Sequence, residues 1–170
     1  MSSGEKKRFR KFCEEYLSTE KDNFLRIAAD RFKSAYERHN VEDQLIDFVI
    51  AFEALFLRHE AGLRSKLSQR VALYSDDNPM KRARLFKLVR DAYDIRSNLV
   101  HGGRKSKIEK ILKKRDMNLA AFVIEIEDLL RKCIKQYMRE NRMGIEKEEI
   151  IERLDLLSLG FDFQKKQNQV

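Results

Sequence analysis

The chain has 170 residues, with 36 Lys and Arg against 28 Asp and Glu, a formal net charge of +8. At roughly 150 residues per domain this fits one domain, and the 42% hydrophobic fraction supplies one packed core, which excludes wholesale disorder. No run approaches the ~20 apolar residues that span a bilayer, no secretory apolar stretch follows Met1, and Cys13 and Cys133 sit in no Cys-x-x-Cys or Cys/His cluster. Neither a zinc site nor a disulfide scaffold is therefore expected, and a cytoplasmic setting is.

Six glycines and one proline punctuate a helical pattern. Phe9, Phe12, Cys13, Tyr16 and Leu17 share one face of an expected N-terminal helix within residues 1–20. Thr19-x-x-Asp22 has the form of a capping box, after which Phe24, Ile27, Ala28, Phe32 and Ala35 follow at helical spacing. Asn40-x-x-Asp43 is a second box and opens a strongly apolar helix from Leu45 to Leu57. A shorter helix is expected from Gly62 to about Ser75. Pro79 after Asp76-Asp77-Asn78 is a cap-and-first-turn arrangement that starts a helix running to about Val100, with Leu85, Leu88, Val89, Ala92 and Tyr93 inward. Arg104 to Arg115 reads as a basic, partly helical connector. The longest helix, from about Met117 to Arg142, carries a stripe of Leu119, Phe122, Val123, Ile126, Leu129, Leu130, Cys133, Ile134 and Tyr137. A last amphipathic helix spans Glu146 to Leu157. Nothing alternates with period two for long enough to make a strand. The expected fold is an all-α bundle over 21–158, followed by a polar tail at 159–170.

Charge is uneven along this pattern. From Lys81 to Arg115 there are 13 Lys and Arg against 3 Asp and Glu, a local balance of +10. Such a zone is either a solvated helix face with a flexible loop or a nucleic-acid footprint. At its centre lies Arg96-Ser97-Asn98-Leu99-Val100-His101-Gly102-Gly103. A histidine in a last helical turn can simply favour the helix dipole. Histidine also moves protons near neutral pH, and arginine offers a fixed fork of donors to a phosphate. Arg96 and His101 are thus a candidate RNA-cleaving pair. Residues five apart on a regular helix are rotated by about 140°, so the pair needs a frayed helix end or a second subunit to converge. Glu53 stands in the most apolar stretch of the chain, where an ionised carboxylate needs a partner. Arg96 and Arg70 are the candidates, either as a buried salt bridge or with Glu53 orienting Arg96. His39 and His59 read as surface or cap residues. Asp43, Asp47 and Glu53 do not make a metal site, and neither a metal nor another cofactor is expected.

Asp43-x-Leu45-Ile46-Asp47, Ala51-Phe52-Glu53-Ala54-Leu55-Phe56, Leu63-x-x-Lys66-Leu67-x-x-Arg70, Tyr93-Asp94-Ile95-Arg96-Ser97 and Val100-His101-Gly102-Gly103 occur in that order. In this the chain resembles the HEPN superfamily (higher eukaryotes and prokaryotes nucleotide-binding domains), and within it the Apea-like domains, over roughly Ala28 to Tyr137. The resemblance implies a bundle of four or five main helices that dimerises. It also implies a metal-independent ribonuclease with a composite cleft, acting in antiphage defence or as a toxin. Arg96 would bind the scissile phosphate. His101 would serve the attacking 2′-hydroxyl or the leaving oxygen, leaving a 2′,3′-cyclic phosphate. Glu53, Ser97 and Asn98 would be supporting residues, and Arg104, Lys105 and Lys107 would bind RNA. Many active members carry Asn, Asp or His directly after the arginine, where this chain has Ser97. The alternative expectation is therefore a catalytically silent module binding RNA, nucleotide or a protein. Expected partners are RNA, a second copy of the chain, and an antitoxin or fused sensor domain, with no membrane.

Overall fold

A computed structural model describes residues 23–161, so the expected N-terminal helix with Cys13, the Thr19 box and residues 162–170 lie outside the described residues. The described residues form seven helices and no strand: α1 (Asn23–Glu37), α2 (Val41–Phe56), α3 (Leu63–Ser75), α4 (Pro79–Val100), α5 (Lys105–Lys114), α6 (Leu119–Arg142) and α7 (Lys147–Ser158). The fold is all-α. No helix among them is long and apolar enough to cross a membrane.

Asparagines set three of the helix starts. The Asp43 N–H donates to Asn40 Oδ1 at 2.7 Å, and the Asn40 amide returns a bond to Asp43 Oδ2 at 2.8 Å. α2 thus begins at Val41, one turn before Leu45. Asn78 Oδ1 accepts from the Met80 and Lys81 N–H groups, with Pro79 beside it where no N–H is needed. Asn118 Oδ1 accepts from the Ala121 N–H at 2.9 Å. Each cap satisfies donors that the first helical turn leaves free.

Short links join neighbours: α1 packs on α2, α3 on α4, and α5 on α4. α6 lies against α2, and α7 against α3. The core is continuous through Leu45, Phe48, Phe52, Leu67, Val71, Ile95, Ile126, Leu130 and Ile150. The α6 stripe is buried as expected from Phe122 to Tyr137. Cys133 is buried too, and burial pushes its thiol up to about 12, which makes it unreactive.

One expectation is corrected and another is extended. In α1, Leu25 rather than Phe24 enters the core, because Leu25, Ala28 and Ala35 form the face that meets α2. Phe24 lies 38% exposed under the Lys147 ammonium, which sits 3.7 Å from its ring centroid. The basic connector is a regular helix, α5. Its Ile108 is buried and Ile111 and Leu112 pack on the core, while the lysines cover the outer face.

Candidate functional site

α4 ends where its pattern runs out. The His101 N–H still donates to Ser97 O at 3.1 Å, and then Gly102 turns the chain with a φ of +63°. The Gly103 N–H donates to Asn98 O at 2.6 Å, a close approach that leaves no room for a Cβ beside Asn98. Asn98 is itself tied down, its amide donating to Asp94 O at 2.7 Å. Asn98 therefore works on the helix end: its backbone carbonyl holds the turn that follows His101, and its side chain bonds back to the preceding turn of α4. Ser97 is half-buried, and His101 is exposed.

Arg96 faces inward from α4 toward α2. Its Nη2 lies 3.4 Å from Glu53 Oε2, and both side chains are about one-fifth exposed. At that distance the bond is a weak one. Burial pushes the Glu53 carboxyl above the usual carboxylate range, and Arg96 only partly offsets this. The Arg96 Nε is buried with no hydrogen-bond partner. The guanidinium thus keeps donor capacity in reserve. No hydrogen bond joins Arg96 to His101. The five-residue spacing turns them apart by about 140° on a helix that stays regular to Val100.

Arg70, the other candidate partner of Glu53, is engaged elsewhere. It is 1% exposed and donates to Phe56 O at 2.9 Å. Its Nε and Nη2 grip both oxygens of Asp155 on α7 at 2.8 Å, and Nη1 reaches Glu60 Oε1 at 2.5 Å. Lys66 also reaches Glu60. The Arg70 hydrogen bond is the main cause that holds the Glu60 carboxyl down at about 2. This cluster ties the α2–α3 link to α7 and leaves Glu53 to Arg96 alone.

Arg104, Lys105 and Lys107 are exposed at the start of α5, just past the double glycine. Asp47 is buried beneath Arg31 and Arg38, at 3.1 and 2.7 Å. It is a structural ion-pair centre linking α1 to α2. His39 and His59 are exposed in links. Among the described residues no group of three or more His, Cys, Asp or Glu is placed to hold a metal ion.

The sequence reading missed a second cationic feature. A groove of about 750 Å³ runs between α4 and α5, and Arg64, Arg84, Lys87, Arg90, Lys114 and Arg115 line it. Local charge marked this zone from Lys81 to Arg115, but nothing in the pattern brought Arg64 of α3 to it. No family model matches the chain, and no curated protein or solved structure does so either.

Proposed function

We propose that the chain is a metal-independent endoribonuclease of HEPN type, acting as a homodimer with a composite site, in antiphage defence or as a toxin. The observation that carries this is the end of α4. An exposed His101 follows a half-buried Arg96 that has spare donors, and a basic helix begins four residues later. In this reading Arg96 holds the scissile phosphate, and Glu53 sets its orientation from α2. His101 takes the proton of the 2′-hydroxyl, or gives one to the leaving 5′-oxygen. The 2′-oxygen bonds to phosphorus as the bond to the 5′-oxygen breaks. The products are a 2′,3′-cyclic phosphate and a 5′-hydroxyl, so no metal-bound water is required. The rotation of Arg96 away from His101 within one chain favours a site shared between two chains. The same rotation supports a second reading, a module that binds RNA without cutting it.

The test is RNA cleavage in EDTA, with wild type beside His101→Ala and the product ends analysed. The expected result is cleavage that resists EDTA, leaves cyclic phosphate and falls at least about a hundredfold in the variant. Cleavage that survives His101→Ala overturns the site. A folded dimer that binds RNA and never cleaves it selects the binding module.

A further inference from the structure

The α4–α5 groove differs from the Arg96–Glu53 pair in both place and chemistry. Its cations come from three helices: Arg64 from α3, Arg84, Lys87 and Arg90 from α4, and Lys114 and Arg115 from α5. Three of the six have carboxylate partners. Arg64 pairs with Asp94, Arg115 with Asp91 at 2.8 Å, and Arg84 with Glu125. Lys87, Arg90 and Lys114 have none. Arg90 is held 5.7 Å over the Phe86 ring, and its Nε is buried with no hydrogen-bond partner. A buried guanidinium donor without an acceptor is costly, and an anion in the groove would satisfy it. Met80, Ala83 and Ile111 give the groove an apolar lining between the charges.

The groove also has a direction. Eleven residues of helix separate Arg90 from His101, which brings them back to within about 20° of one line along α4. Seven residues separate Asp94 from His101, again within about 20°. Arg90 and, within about 40°, Lys87 therefore lie near His101's line along α4, with His101 about 16 Å from Arg90 and about 21 Å from Lys87. Arg96 lies off this line. Cations spread over such a length, with an apolar lining, match a chain of phosphates better than a single anion.

We infer that the α4–α5 groove binds the phosphodiester backbone of single-stranded RNA, with Lys87, Arg90 and Lys114 on successive phosphates, and leads the strand to His101. The choice of RNA rests on the ribonuclease reading. The anion chemistry rests on the groove alone.

The experiment measures binding of a fluorescent single-stranded RNA of about 20 nucleotides by the full-length His101→Ala chain, from about 50 to 200 mM salt. The added changes are Lys87→Ala with Lys114→Ala, both at exposed positions, and separately Arg90→Gln. The double change is expected to weaken binding about tenfold and to flatten the log–log salt slope by about 1.4, the loss of two phosphate contacts. Lys132→Ala with Lys135→Ala, on the exposed side of α6, is the control and is expected to leave both unchanged. The proposal is overturned if the Lys87/Lys114 variant keeps its affinity and slope, or if no RNA binds at low salt. It is also overturned if micromolar ATP displaces the RNA, which would assign the groove to a free nucleotide. If the groove variants lose RNA while wild type never cleaves, the ribonuclease reading fails and the groove stands. If wild type cleaves through His101 and the groove variants bind normally, the groove fails alone.

Discussion

At the residue scale, two glutamates within eight positions have opposite electrostatic fates. Glu53 is buried against a single distant guanidinium, and its carboxyl rises above the usual range because burial dominates. Glu60 accepts from Arg70, Lys66 and the Arg58 N–H, and its carboxyl falls to about 2. A carboxyl depressed by folding adds stability that is complete above its ordinary value of 4.5 and disappears as pH falls through about 2. Glu60→Gln should therefore destabilise the protein clearly at about pH 7, and the gap should close toward about pH 2. Urea midpoints of the two proteins across that range test this, and a gap that does not change with pH would assign Glu60 no role in the pH dependence. Arg70 makes the cluster costly to break, since its removal would strand Glu60 and the Phe56 carbonyl beside a buried space. Its partners were not legible in the sequence. Asp155 lies 85 positions away, and Glu60 sits in a link that carries no periodic signal. The Glu53–Arg96 contact was legible because the apolar run around Glu53 leaves a carboxylate few places to turn.

At the element scale, helices were read well wherever caps and stripes agreed. Asn78-Pro79 at one end and the double glycine at the other bound α4 as observed, and the α6 stripe needed no tertiary information. α5 is only partly legible in the sequence because seven Lys and Arg from Arg104 to Arg115 mask Ile108, Ile111 and Leu112. The α4–α5 turn is where element geometry meets the candidate site. Gly102 sits at positive φ in open space, so Gly102→Ala should cost about 1 kcal/mol through backbone strain alone. Gly103 has ordinary backbone angles but would drive a Cβ against the Asn98 side chain and backbone. Gly103→Ala should cost more, about 2 kcal/mol, because Asn98 must give up its bond to Asp94 O or α5 must shift. Thermal melts of the two variants rank these costs. Equal losses would mean that the turn absorbs the methyl without disturbing Asn98.

At the scale of the whole molecule, the proposed reaction draws on residues that lie on different faces of one helix. α4 is regular to Val100, so no fraying brings Arg96 round to His101 within a chain. Lys87 and Arg90 of the groove lie near the His101 line, and the Glu53 contact fixes Arg96 on the other side. In the proposed reading RNA arrives along one face, and the phosphate is held by an arginine from a facing copy. An isologous pair can supply this, because two-fold symmetry offers each surface its own counterpart. The consequence is sharp for mixed subunits. A chain carrying both Arg96→Ala and His101→Ala contributes nothing to a shared site and spoils each site it enters. After exchange with a tenfold excess of that chain, about nine in ten wild-type chains are in mixed dimers, so the cleavage rate should fall about tenfold. If each chain cleaves alone, wild-type chains keep their full rate at any excess of the variant. The rate against mixing ratio therefore separates a shared site from a self-contained one, with sedimentation of the mixed sample confirming that subunits have exchanged.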